Sequence, residues 1–212
     1  VLIVGVGIMV LRTRRRAALP GAVSDAVRWL GTGGALAAII VGFWLLGDLS
    51  GDDPLVAVVE IPKGSSNKYE YDEELGAIKL DRLLFSSLGY PTDYGFFRET
   101  LAGDGDPLDA MIVVSEPTFP GCLIEVKPVA LFRMRDENAE DNKILCVPFS
   151  DPNWSHIERL DDLPMAPRDE ISHFFSIYKT PEWKVVRVDG WYSREEALES
   201  IERARRRYAE RG

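Results

Sequence analysis

Sulfur and imidazole are scarce in this chain, with two cysteines and two histidines among 212 residues. Cys122 and Cys146 show no close metal-ligand spacing and read as buried apolar thiols rather than a disulfide. His156 and His173 are the only imidazoles, which speaks against a His-rich zinc site. The G-x-x-x-x-G-K-S/T loop is missing, so a P-loop is not the route to a nucleotide. Positive charge is short too. The formal net charge is −9, and residues 1–50 hold five arginines against two aspartates, which leaves −12 on the remainder. A domain so acidic is a poor partner for nucleic acid, because phosphates repel it unless metal ions come along.

What is present suffices for one main domain, since 46% of residues are apolar. Residues 1–50 differ from the rest. An apolar run, Val1–Leu11, meets an arginine cluster over 12–16. A second run, Trp29–Gly47, stays uncharged for 19 residues, matching the ~18 residues that span a bilayer. It reads either as a membrane anchor over residues 29–47 or as a dispensable extension with a wrongly assigned start. The arginines would face the cytoplasm by the positive-inside rule and place residues 51–212 on the other side.

The chemistry gathers around Asp104-Gly105-Asp106-Pro107-Leu108-Asp109, three carboxylates within six residues. Gly105 and Pro107 make it a turn. Clustered oxygen ligands suit a hard divalent cation, Mg²⁺ or Mn²⁺. The bland alternative is a solvated turn. An EF-hand is excluded, because Leu108 stands where an acid is needed and Ser115 where the final Glu would be.

Around this turn, Leu55–Pro62 reads as a strand interrupted by Glu60, a buried acid in need of a partner. Lys68–Asp72 alternates charged and aromatic residues, with Lys68 and Glu70 on one side. Ala77–Arg82, Ala110–Val114, Leu123–Met134, Ile144–Pro148 and Trp183–Trp191 add further strands. Tyr90 and Tyr94 read as packing residues or as hydroxyl donors, with packing favoured. A second acidic patch, 136–143, reads as a hairpin tip of the same kind as the first turn. Pro167–Lys179 carries Ile171, Phe174, Phe175 and Tyr178 on one helical face, with His173 beside it. Ser193 and Glu196 form a capping box for a last helix whose inner face is Ala197, Leu198, Ile201, Ala204 and Tyr208. Short strands between Gly and Pro turns predict a closed or nearly closed β-barrel with helices, an α+β chain that is mainly β.

With these motifs in order, residues from about 56 to 208 resemble the soluble family I inorganic pyrophosphatases, especially actinobacterial ones. The resemblance rests on Glu60-Ile61-Pro62, Lys68-Tyr69-Glu70, Asp81-Arg82, Tyr90 through Gly95, the 104–109 turn, Asp136-Glu137 with Asp141 and Lys143, and His173-Phe174-Phe175 with Tyr178-Lys179. It implies an OB-like five-stranded β-barrel with two flanking helices, a homohexamer, and Mg²⁺-dependent hydrolysis of pyrophosphate, with Mn²⁺ or Zn²⁺ as substitutes. By the same resemblance, Asp104, Asp109 and Asp141 ligate the main metal pair. Asp136 and Glu60 serve further metals, and Asp106 is the general base. Lys68, Arg82, Tyr94, Lys143, Tyr178 and Lys179 hold the substrate. Glu70 orients these cations, and Tyr90 supports the site.

Two other classes remain at this stage: a non-catalytic, metal-dependent phosphate-binding module and a broader nucleotide or polyphosphate phosphohydrolase. The resemblance implies the cytoplasm, with membrane anchoring the alternative if residues 1–50 are natively made.

Overall fold

The computed structural model describes residues 55–211 apart from 85, 86, 138 and 184. The extension over residues 1–50 and the candidate anchor at 29–47 therefore lie outside the described residues. Among the described residues no helix is long and apolar enough to cross a membrane.

The strands are β1 (Leu55–Ile61), β2 (Asn67–Asp72), β3 (Ala77–Leu83), β4 (Asp93–Phe97), β5 (Asp109–Ile112), β6 (Leu123–Asp136), β7 (Ala139–Glu140), β8 (Lys143–Pro148) and β9 (Val186–Tyr192). Two helices follow the same chain order, α1 (Met165–Ile177) before β9 and α2 (Arg194–Arg211) after it. β1 pairs antiparallel with both β4 and β6. β4 pairs antiparallel with β5, β5 parallel with β8, and β8 antiparallel with β6. These pairings run β1–β4–β5–β8–β6 and back to β1, so none of these strands is left with an open edge along that circuit. β9 adds to β6 on the outside. β2 and β3 form a separate two-stranded hairpin.

Local chemistry explains the sharp features. β6 carries Pro128, which has no N–H for a ladder, and its pairing with β8 shifts register between Pro128 and Ala130. Where β4 crosses β1, Gly95 faces Val59, and a Cβ on Gly95 would overlap the carbonyl oxygen of Val58. Only hydrogen fits there.

Two layers of core flank the sheet. On one side α1 buries Ile171, Phe174 and Phe175 against Ile61, Met111, Phe132 and Leu145. On the other, α2 buries Ala197, Ile201 and Ala204 against Ala57, Ile112, Leu131 and Ile144. The expected capping box holds: Ser193 N–H donates to Glu196 Oε2 at 3.1 Å, and Glu196 N–H to Ser193 Oγ at 3.3 Å. The inner face of α2 departs from expectation. Ser200 is buried on it, while Leu198 is half-buried and Tyr208 is exposed. The buried residues of the helix end at Ala204, four positions before Tyr208. Both cysteines are free thiols, but only Cys146 is buried as expected, and burial pushes its thiol well up; Cys122 is half-buried.

Candidate active site

The acidic turn is built before it is charged. Gly105 takes φ +100°, a left-handed conformation that suits glycine. Asp106 N–H donates to Asp104 Oδ1 at 3.1 Å, and Ala102 N–H to the Asp106 carbonyl at 2.7 Å. Leu108 is buried, and its N–H donates to Thr100 Oγ1 at 2.9 Å. The anchored leucine leaves Asp104 and Asp106 at the mouth of a cavity of about 690 Å³, with Asp109 deeper inside.

That cavity is lined by acids: Asp104, Asp106 and Asp109 from the turn, Asp141 before β8, Asp136 at the end of β6, and Glu60 on β1. Interleaved with them are Lys68, Lys143 and Lys179 and the phenols of Tyr90, Tyr94 and Tyr178. Glu70 also lines it. Every residue expected at the site is thus brought to one cavity except Arg82. Its guanidinium turns to Glu182, with Nε 3.0 Å and Nη2 2.9 Å from Oε1, and also pairs with Asp81.

Lys143 is the centre of the polar network. The parallel ladder sets it opposite Asp109. Its Nζ lies 2.6 Å from Asp109, 2.7 Å from Asp141 and 2.9 Å from the Tyr94 hydroxyl, and that hydroxyl donates to Asp109 at 2.5 Å. Burial alone would discharge the ammonium, but the two carboxylates outweigh it and hold the Lys143 pKa above its ordinary value. Burial raises Asp109, with Asp141 adding to the rise; Asp141 is also buried, yet Lys143 brings it below the usual carboxylate range. Burial likewise lifts Tyr90, Tyr94 and Tyr178, so all three remain neutral donors. Glu60 is pushed up to about 7 by burial, against the opposing Tyr71 N–H that it accepts at 2.7 Å. Burial raises Asp104 too.

The tyrosines do both things the sequence allowed. The Tyr90 ring packs tilted against Phe174 at 4.8 Å and the Tyr94 ring against Phe175 at 6.0 Å, while the Tyr94 hydroxyl works in the network. His173 is exposed and does not line the cavity. Lys179 pairs with Asp136, Lys68 with Glu70, and Lys68 with Asp81 at 3.2 Å.

Among the described residues no three His, Cys, Asp or Glu side chains converge on one ion-sized point. Lys143 holds the point between Asp109 and Asp141 instead. The chemistry of the donors still fits a hard cation: they are all carboxylates, they outnumber the lysines at the turn, and Asp136 Oδ1 is buried without a hydrogen-bond partner.

Asp93 carries a structural role that the sequence reading left unassigned. This fully buried carboxylate accepts from Lys63 N–H at 2.8 Å and from Thr118 N–H and Oγ1 at 3.1 and 2.6 Å. The signal was available, since it is an acid opening a buried strand, as Glu60 interrupts one. Glu182 gave no comparable signal.

Carboxylates interleaved with ammoniums and phenols in one cavity define a site for phosphoryl transfer from a small polyanion. Comparison with known proteins narrows the class. The family model for inorganic pyrophosphatase matches residues 57–209. The chain is 55% identical over 154 residues to an inorganic pyrophosphatase of Methanosarcina acetivorans, covering 73% of this chain and 92% of that one. It is 51% identical over 155 residues to that of Streptomyces coelicolor, covering 73% and 95%. The crystal structure of the Thermus thermophilus inorganic pyrophosphatase superposes with a TM-score of 0.72 at 44% identity, covering 76% of this chain and 94% of that one. The chain belongs to the inorganic pyrophosphatase family.

Proposed function

We infer that this chain hydrolyses inorganic pyrophosphate to two orthophosphates. The observation that carries the reading is the single cavity in which the family's acids, lysines and tyrosines meet. Pyrophosphate's charge explains the composition of the walls: the lysines and phenols offer donors to the phosphoryl oxygens, and the acids hold countercharge.

Asp104, Asp109 and Asp141 would hold the main Mg²⁺ pair, with Asp136 and Glu60 serving ions that arrive with the substrate, and Mn²⁺ or Zn²⁺ would substitute. Bound there, the metal supplies neutralisation of phosphate charge and acidification of water. Asp106 stands exposed at the cavity mouth, where it accepts a proton from the attacking water. Lys143 and Tyr94 steady Asp109, and neutral Tyr94 and Tyr178 donate without adding charge. Lys68 and Lys179 hold the substrate as point charges and Arg82 as a planar fork. Glu70 orients Lys68, and Tyr90 packs beneath Tyr94.

The circuit of strand pairings supports an OB-like five-stranded barrel. Residues 51–212 form the catalytic domain, and residues 1–50 a separate extension. The chain acts in the cytoplasm as a homo-oligomer, a hexamer by the family resemblance, or anchored at a membrane through residues 29–47 if that segment is natively made. The test is phosphate release from pyrophosphate by the full chain with Mg²⁺ and then with EDTA. Fast release that EDTA stops is the expected result. No release from folded protein would overturn the reading.

A further inference from the structure

Arg82 is the one expected substrate ligand that does not reach the cavity, and the structure shows what holds it away. Two of its nitrogens, Nε at 3.0 Å and Nη2 at 2.9 Å, donate to one oxygen of Glu182. A third pairs with Asp81. That is how a guanidinium fork grips a phosphate oxygen, with a protein carboxylate in the phosphate's place. Glu182 sits on the short turn Thr180–Glu182, three residues past Lys179. Arg82 sits on the β2–β3 hairpin, which shares no backbone ladder with the main sheet. Asp81 joins Arg82 to Lys68, so the contact ties two cations of the hairpin to the turn that bears Lys179.

We propose that Glu182 is a positioning residue that competes with substrate for Arg82, so that pyrophosphate binding exchanges the Glu182 carboxylate for a phosphate oxygen. This rests on the pyrophosphatase reading. The pair is only partly buried, with side chains 26% and 14% exposed. It is therefore weak enough to open and strong enough to tax the binding of an anion. Glu182 itself does not line the cavity, so its substitution removes no group from the lining.

The test is a kinetic cycle on the full chain, using Glu182→Gln, Arg82→Ala and the double variant with Mg²⁺-pyrophosphate. In Glu182→Gln, KM is expected to fall about three- to tenfold, the range open to an ion pair of this exposure. kcat should hold or drop slightly as product leaves more slowly. In the Arg82→Ala background the same substitution should leave KM unchanged. A KM that rises or stays put in Glu182→Gln overturns the proposal. An equal fall in both backgrounds also overturns it, because that would be a general gain in positive potential and not competition for Arg82. If the unsubstituted chain turns over no pyrophosphate, the underlying functional reading fails and the proposal with it. Normal turnover with a flat cycle sinks the proposal alone.

Discussion

The two halves of the core are built from different materials. The half beneath α1 is aromatic: Tyr90, Phe132, Phe174, Phe175 and Tyr178 are all buried in it. Their rings lie close, Phe174 and Phe175 at 5.0 Å and Phe175 and Tyr178 at 5.3 Å. The half beneath α2 is aliphatic, and Phe97 is the one aromatic among its fully buried, described residues. An aromatic with a polar tip can be core at its base and a donor at its end. Tyr90, Tyr94 and Tyr178 line the cavity in that way. An alanine or isoleucine has no such second end. The α1 half therefore supplies donors to the cavity while it packs, whereas the α2 half reaches the site only indirectly, through buried Leu108, which anchors the acidic turn.

That contrast breaks or sharpens under substitution. The largest effect is expected in the aliphatic half. Ile201→Ala empties a fully buried site and should cost about 2–5 kcal/mol of stability. Denaturant unfolding reads the loss, and kcat/KM well below the transition should not change. A fall in kcat/KM would mean that the α2 half does reach the chemistry. Next comes Asp106→Asn, which touches neither core. Turnover should drop more than ~100-fold, the lower bound for proton-transfer help, with an unchanged thermal midpoint. Near-normal turnover would remove Asp106 as the base.

Tyr94→Phe tests the dual role directly. The ring stays against Phe175 while Lys143 and Asp109 each lose a hydrogen-bond partner. About 1.5 kcal/mol, or close to tenfold in kcat/KM, is expected for one bond to a charged group. Equal kinetics would make Tyr94 a packing residue only. The smallest effect is a control outside both halves. Asp151 accepts from Ser115 N–H at 2.8 Å, Ser115 Oγ at 2.9 Å and Asn153 N–H at 3.0 Å. Its slight burial would raise the pKa, but these bonds win and lower it. A depressed carboxylate stabilises the fold above its unfolded pKa, about 3.9, and loses that contribution as pH falls through the folded value. Asp151→Asn should lower the melting temperature by about 2 °C at pH 7. The gap should close below about pH 4, and kinetics should not move. A gap that persists in acid would assign the loss to geometry instead of charge.

Local signals were readable from sequence, and distant ones were not. The capping box at Ser193 and Glu196 and the Asp104–Asp109 turn are set by residues within a few positions of one another. Their geometry therefore follows from residue types. Alternation exposed β2, and helical spacing exposed α1 to within two residues at either end. The parallel pairing of β5 with β8, which sets Lys143 opposite Asp109, depends on a register across 34 residues and leaves no periodic trace. Arg82 and Glu182 are 100 residues apart. The family resemblance supplied the role of Arg82, but it could not supply its resting partner. Tyr208 and Leu198 fall outside the buried set Ala197, Ser200, Ile201 and Ala204, because helical periodicity says neither how wide the covered stripe is nor where it ends.

The close crossing at Gly95 has a practical meaning for anyone mapping this enzyme by mutation. Position 95 adjoins Tyr94, and every side chain placed there would strike the Val58 carbonyl and force β1 and β4 apart. An alanine scan scored by activity alone would return a dead variant and rank Gly95 among the essential residues. Scored by soluble yield, the same variant would read as a chain that never assembled.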